Sequence, residues 1–292
     1  MKGIILAAGK GTRLYPITKP VCKPLLPVYD KPLIYYSLST LMRANIRDIL
    51  IIHAPGDEDA FRHLLGDGGS LGVSISYLAQ QEQRGIADAF IIGADFIGDD
   101  SVCLMLGDNI FYGPLFRHRL RKIVKNFKDA VIFGYYVNDP RAFGVVEFDE
   151  AGRALSIEEK PKHPKSNYIV PGLYFYDNRV IEIAKNLKPS ARGELEITSV
   201  NNAYLHANAL HVEPLGNEYT WFDAGNADSL YEAAGAIRTA QRSGKLIGCP
   251  EEQALKNHWI TVDQLRETAD EMEKTKYGQY LFGLIDEIEN DD

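Results

Sequence analysis

Residues 1–32 read MKGIILAAGKGTRLYPITKPVCKPLLPVYDKP. The apolar run Gly3–Ala8 (GIILAA) predicts a short buried strand closed by Gly9. Beyond it, Gly9-Lys10-Gly11-Thr12-Arg13 presents successive backbone N–H groups past the strand's carboxyl end. Glycine admits positive φ and close backbone approach. Consecutive N–H groups form an anion-binding hollow, and an arginine suits phosphate oxygens. In an open α/β sheet, ligands gather at the carboxyl ends of strands. The stretch therefore points to an α/β fold with a phosphate-bearing guest. A ligand-free βα turn would use the same glycines, but Arg13, with Lys19, Lys23 and Lys31 behind it, favours phosphate. Two familiar phosphate patterns fail. Lys10 precedes Gly11, so G-x-x-x-x-G-K-[ST] is absent, and Leu14 stands where a dinucleotide fingerprint needs its third glycine.

The rest of the first half alternates. Pro32–Ala44 has helical spacing with Pro32 in the first turn, Asp48–His53 reads as a strand, Asp57–Leu65 as a short helix and Val73–Ala79 as a strand. Gly85–Phe96 reads as one helix and Val102–Leu106 as a buried strand ending in Gly107-Asp108-Asn109. Such alternation implies βαβ units and a parallel sheet with both faces covered. Later the rhythm changes: Ala130–Val137, Phe143–Phe148, Leu155–Glu159, Ile169–Tyr176 and Leu210–Leu215 are strand-like, while Asn178–Leu187 and Leu195–His206 are helical. After Trp221-Phe-Asp-Ala-Gly225 a helix runs to about Ser243, and from Pro250 on only helical pattern remains. The expected fold is α/β: a Rossmann-like mixed, mostly parallel sheet flanked by helices, with inserted antiparallel strands and a C-terminal helical appendage. Residues 1–245 form the expected core, and residues 246–292 the appendage.

Composition narrows the function. The chain has 292 residues, 45% of them hydrophobic, and a formal net charge of −8. That balance argues against bulk binding of nucleic acid or an anionic membrane, while leaving room for a local basic pocket. Three widely separated cysteines (Cys22, Cys103, Cys249) show no metal-ligand spacing and fit a reduced cytoplasmic setting. No apolar run is long enough to span a bilayer, and the N-terminus lacks a signal-peptide pattern.

Two carboxylates stand where a hard cation would use them. Asp108 ends a buried strand, and Asp223 sits at a strand-to-helix junction. Taken alone, Asp108 suits a helix cap or Asx turn equally well, and Asp223 before Gly225 suits a turn. Glu158-Glu159-Lys160-Pro161 puts carboxylates beside a cation, but side chains alternate along a strand. Glu159 and Lys160 share a pocket only if the strand ends or twists there, as Pro161 suggests.

Longer stretches carry a resemblance. Leu6–Leu14, Cys22–Pro32, Leu106–Asn109, Gly144–Asp149, Glu158–Pro161, Gly172–Asp177, Arg192–Thr198 and Cys249–Glu252 run in one order over almost the whole chain. Together they resemble the sugar-1-phosphate nucleotidyltransferases, most closely the thymidylyl-transferring branch. The resemblance implies a nucleoside triphosphate and a sugar 1-phosphate as substrates, Mg2+ as cofactor and a homo-oligomer, tetramer or dimer. It implies catalytic roles for Arg13, Lys23, Asp108 and Asp223, with Asp108 and Asp223 holding the metal. The nucleotide falls to Ala8, Gly9, Gly11, Thr12, Arg13, Gln80, Gly85 and Asp108. The sugar phosphate falls to Asn109, Gly144, Glu159, Lys160, Tyr174 and Arg192.

The chain departs from that pattern where the nucleoside sugar is read. Pro24 replaces the family's glutamine after Lys23, and Gln81-Glu-Gln-Arg-Gly85 replaces a Pro-Ser-Pro-Asp-Gly run. The phosphate and metal positions match, whereas the choice between dTTP and UTP stays open. A uridylyltransferase is the alternative within the class. An NAD(P)-dependent oxidoreductase would need the missing glycine and an acidic residue about twenty positions on; Asp30 comes too early. A catalytically silent nucleotide-sugar sensor would not need Arg13, Lys23, Asp108, Lys160 and Asp223 together.

Overall fold

The structure, a computed structural model, describes residues 1–291. Its strands are β1 (Lys2–Ala7), β2 (Pro27–Val28), β3 (Lys31–Pro32), β4 (Asp48–His53), β5 (Ser74–Ala79), β6 (Val102–Leu106) and β7 (Asn109–Tyr112). They continue with β8 (Ala130–Tyr136), β9 (Gly144–Phe148), β10 (Ala154–Glu159), β11 (Tyr168–Ile169), β12 (Leu173–Tyr176), β13 (Leu210–Leu215) and β14 (Thr220–Asp223). Ten of them form one sheet in the order β10-β9-β11-β8-β12-β6-β1-β4-β5, with β13 paired to β8. The β6-β1-β4-β5 half is parallel. Strands β9 to β12 are the antiparallel insertion. Two small ladders, β2–β3 and β7–β14, stand apart from the main sheet.

Alternation along the central strands covers both faces. Ile5, Ile49, Ile51, Cys103 and Met105 face one apolar cluster, and Ile4, Leu50, Ile52, Val102 and Leu104 face the other. Strands buried on both sides are apolar at every position, which is why they read as continuous runs. The tail forms helices Pro250–Lys256, Val262–Glu271 and Lys276–Asp291. Ala254, Leu265, Ala269, Leu281 and Ile285 from this tail join the same cluster as Ile5 and Leu38, so its apolar stripe closes over the sheet. None of the described helices is long and apolar enough to cross a membrane.

Several elements differ from the sequence expectation. Gly85–Phe96 is not one helix: Asp88–Ile92 and Ala94–Ile97 are separate short pieces meeting at Gly93. Gly93 packs against Ile4 and Leu50, where a Cβ would sit 3.0 and 3.2 Å away. The segment before Asp88 is held against another chain stretch, with Ala87 N–H donating to the Leu195 carbonyl at 3.1 Å. Ile169–Tyr176 is likewise two strands. Pro171 has no N–H to donate, and Gly172 N–H donates to Asn109 Oδ1 at 3.0 Å instead of to a ladder. Pro32 occupies the N-cap of helix Leu33–Arg43 rather than its first turn. The short strand β7 and the helix Phe116–Lys125 carry no long apolar run and were not anticipated, whereas β14 ends at Asp223, at the expected strand-to-helix junction.

Candidate active site

Three strand ends and one ladder build the site. β1 delivers the loop Gly9–Arg13, and Gly11 lies in the left-handed region at φ 60°. A Cβ there would meet Thr18 at 3.0 Å and Lys23 at 3.2 Å, so only glycine lets the loop fold back onto the Lys23 segment. Thr18 Oγ1 donates to the Gly11 carbonyl at 2.7 Å and pins that fold.

The β7–β14 ladder brings the carboxylates together. Asp223 is paired with Asn109 in register, and Ala224 N–H donates to the Asp108 carbonyl at 2.9 Å. The two acids then titrate apart. Burial would raise Asp108, but the Lys23 ammonium, which forms an ion pair and hydrogen bond with it, and the Asn109 amide hold its carboxyl below the usual range. Asp223 is pushed up to about 6, first by burial and then by the negative charge of Asp108; Lys23, Arg13 and Lys160 only partly offset this.

These groups line one cavity of about 490 Å³. Arg13, Asp108 and Asp223 stand at one end, with Asn109, Gly144, Glu159, Lys160 and Tyr174 also on its wall. A smaller cavity of about 180 Å³ shares Arg13 and Asp108 and is lined by Gly9, Gly11, Thr12, Lys23 and Pro24. The shared residues place the two side by side. The Glu159–Lys160 problem resolves in the backbone. β10 stops at Glu159, and Lys160 takes a left-handed φ of 46° that turns its side chain to the same cavity. Among non-glycine residues, such a conformation marks strain held by surrounding structure.

Other expected residues are placed differently. Asn109 spends its amide on protein: Nδ2 donates to Asp108 Oδ1 at 2.8 Å, and Oδ1 accepts from Trp221 Nε1 at 2.6 Å and Gly172 N–H. It orients Asp108 across the base of the cavity. Arg192 lies outside both cavities and grips Glu196 at 2.8 and 2.9 Å, with its guanidinium 3.4 Å from Glu159. Gln80 is buried, and its Nε2 donates to Asp88 at 3.0 Å. Gly85 has φ 105° and is pressed against Leu195, where a Cβ would be 2.5 Å from the carbonyl oxygen. Ala8 accepts a hydrogen bond from Gln83 Nε2 at 3.0 Å. Ala8, Gln80 and Gly85 line neither cavity.

Sequence reasoning missed part of the wall: Ile86, Thr198, Asn201 and Trp221. Thr198 Oγ1 donates to Glu159 Oε2 at 2.6 Å and fixes that carboxylate. Thr198 and Asn201 sit three apart on helix Ile197–His206, a spacing that shares a face. Two polar residues at that spacing, each directly after an apolar one (Ile197, Val200), were the available signal.

Comparison with known proteins agrees with this geometry. Residues 2–240 match the family model described as "Nucleotidyl transferase". A Neisseria meningitidis protein named glucose-1-phosphate thymidylyltransferase is 56% identical over 286 residues, covering 98% of this chain and 99% of that one. A Mycolicibacterium smegmatis protein of the same name is 56% identical over 287 residues, covering 98% and 99%. Among solved structures, a Bacillus anthracis protein assigned that name and crystallised with sucrose superposes with TM-score 0.76. It is 43% identical and covers 82% of this chain and 95% of its own. A UDP-glucose pyrophosphorylase crystallised with UDP-glucose shares the fold at TM-score 0.71 and 23% identity. With residues 2–240 matched by the family model and relatives 56% identical over nearly the whole chain, the chain belongs to the nucleotidyl transferase family.

Proposed function

We propose that the protein transfers a thymidylyl group from dTTP to glucose 1-phosphate, forming dTDP-glucose and pyrophosphate. The observation that carries this reading is the convergence of Arg13, Lys160, Asp108 and Asp223 on one cavity, with a second beside it that shares Arg13 and Asp108 and is lined by Gly9, Gly11 and Thr12. Relatives bearing that activity's name at 56% identity support it.

The chemistry is displacement at phosphorus. A phosphate oxygen of glucose 1-phosphate attacks the α-phosphorus of dTTP. As the new P–O bond forms, the bond to the bridging β-phosphate oxygen breaks, and its electron pair leaves with pyrophosphate. The second ionisation of a phosphate monoester lies near pH ~6, so the nucleophile is already anionic and needs no general base. The protein's task is to hold two polyanions in line and to neutralise charge at the reacting centre. Arg13 and Lys23 serve the triphosphate. Lys160 serves the sugar phosphate, with Arg192 at the rim, and Glu159 accepts from sugar hydroxyls. Gln80 Oε1 makes no hydrogen bond among the described residues and offers an acceptor to the imide N–H of a pyrimidine.

Asp108 and Asp223 supply two hard oxygen donors, which fits a divalent cation that completes its shell with phosphate oxygens and water. The repulsion that lifts Asp223 is the one such a cation relieves. Mg2+ is the ion assigned here; when bound, it neutralises charge on the transferring phosphoryl group.

The test is a matrix of dTTP, UTP, CTP, GTP and ATP against glucose 1-phosphate and its epimers, read by pyrophosphate release with and without Mg2+. Release that peaks with dTTP and glucose 1-phosphate and needs the metal is expected. A peak with UTP converts the reading to a uridylyltransferase, and no release with any pair defeats it.

A further inference from the structure

A buried polar atom without a partner has lost its water and gained nothing in return, so each one calls for a cause. Among the described residues three side-chain atoms are of this kind: Ser39 Oγ, His53 Nε2 and Asn201 Nδ2. Ser39 lies within helix Leu33–Arg43, away from the cavities. His53 Nε2 is 3.5 Å from a Glu58 carboxylate oxygen. Asn201 alone of the three lines the substrate cavity, and it is fully buried there.

The rest of its amide is fixed. Asn201 Oδ1 accepts from the Tyr176 hydroxyl. That tyrosine cannot swing away: its ring stacks on Tyr204 at 5.4 Å and on Tyr174 at 6.2 Å, and meets Phe90 edge-on at 5.4 Å. One end of the amide is therefore occupied by an immobile partner, and the NH2 end, on a residue of the cavity wall, has no partner.

We infer that Asn201 donates from Nδ2 to a hydroxyl of the bound sugar and helps decide which sugar phosphate is accepted. The inference rests on the reaction proposed above. Thr198, one helical turn earlier on the same face, already donates to Glu159, so Glu159 and Lys160 mark one edge of the sugar. Residues three apart on a helix lie ~5–6 Å from each other, comparable with the span between non-adjacent hydroxyls of a pyranose. Asn201 thus meets a hydroxyl other than those that Glu159 accepts. A neutral amide donor suits this role: it satisfies a hydroxyl oxygen without adding charge beside the phosphates. A site built to bond a hydroxyl rejects the analogue lacking it, because the buried donor is orphaned again.

The test measures kcat/KM for glucose 1-phosphate and its monodeoxy analogues, one for each free hydroxyl, in the wild type, Asn201→Ala and Asn201→Asp. Asn201→Ala removes the donor. Asn201→Asp keeps an oxygen for Tyr176 and replaces the donor by an acceptor, which preserves a readable enzyme if the alanine variant folds poorly. The wild type should discriminate at several positions. Both variants should lose ~10-fold or more on glucose 1-phosphate and lose discrimination at one hydroxyl while keeping it at the others. An unchanged profile, or an equal loss with every analogue, overturns the inference. A wild type that turns over no sugar phosphate defeats the proposed reaction instead, and that result is distinct from a normal enzyme with an insensitive Asn201.

Discussion

Asp223 lies directly across the β7–β14 ladder from Asn109, so its carboxylate stands beside that of Asp108 although 115 positions of sequence separate the two acids. A two-stranded ladder holds them at a spacing that each alone would avoid. The consequence is unequal titration, with Asp108 ionised and Asp223 lifted to about 6.

That inequality gives a pH signature. Asp223 binds its proton more tightly folded than unfolded, where an aspartate titrates near ~3.9. The stability this contributes is fully present below ~3.9 and is lost as pH rises through about 6. Asp108 shifts the other way and acts only below ~3.9, outside this window. In metal-free buffer the wild type should therefore lose stability between pH 5 and pH 7.5, and Asp223→Asn should not. At pH 7.5 the variant should be the more stable by about 1–3 kcal/mol while its turnover collapses. Thermal melts with chelator across that range check this, and parallel slopes for both proteins would contradict it.

Arg13 makes no side-chain hydrogen bond or ion pair among the described residues, whereas Lys23 is paired with Asp108. Arg13→Ala should therefore cost little stability and lower kcat by ~10²–10³-fold, the scale for a lost transition-state donor. Lys23→Ala should do similar kinetic damage and also destabilise, since Asp108 is left without its cation. Urea midpoints and steady-state rates separate the two; a near-normal rate in either variant removes that residue from the reaction.

Pro24 sits beside Lys23 on the wall of the smaller cavity, with no side-chain donor to offer. Pro24→Gln should restore a contact to the nucleoside sugar and lower KM for the nucleotide by up to ~10-fold, the worth of one hydrogen bond. KM for the sugar phosphate should stay put. Equal shifts in both constants would place residue 24 away from the nucleotide.

Gly85 turns at φ 105° with a Leu195 carbonyl 2.5 Å from where a Cβ would be. Gly85→Ala should cost about 1–3 kcal/mol, the range for backbone strain, and should weaken nucleotide binding through the adjoining Gln80. Denaturant melts and nucleotide KM report the two effects; an unperturbed midpoint would mean that the turn can relax.

The central strands were legible because burial on both faces leaves a local mark, an unbroken apolar run. β4 and β6 match the expected spans residue for residue. β7 and its pairing with β14 were not legible: each strand is four residues long and gains its partner only in three dimensions. The single helix expected over Gly85–Phe96 failed for the same reason, since contacts from Leu195, Ile4 and Leu50 break it, and those residues are far away in sequence.

By itself the sequence determined the chemistry of the site. The glycines and Arg13 after the first strand, the acids at positions 108 and 223 and the Glu159-Lys160 pair are residue types whose donor and acceptor atoms are given by the sequence. Tertiary structure decided which of those groups line the cavity and which bond to other protein groups. It turned Lys160 into the cavity through a left-handed backbone, bound Asn109 to Asp108 and Trp221, and left Asn201 Nδ2 buried with no partner. The polar atoms are properties of a side chain, whereas burial, the shift of its titration and a missing partner are properties of its neighbours. Those neighbours come from segments that meet only when the chain has folded.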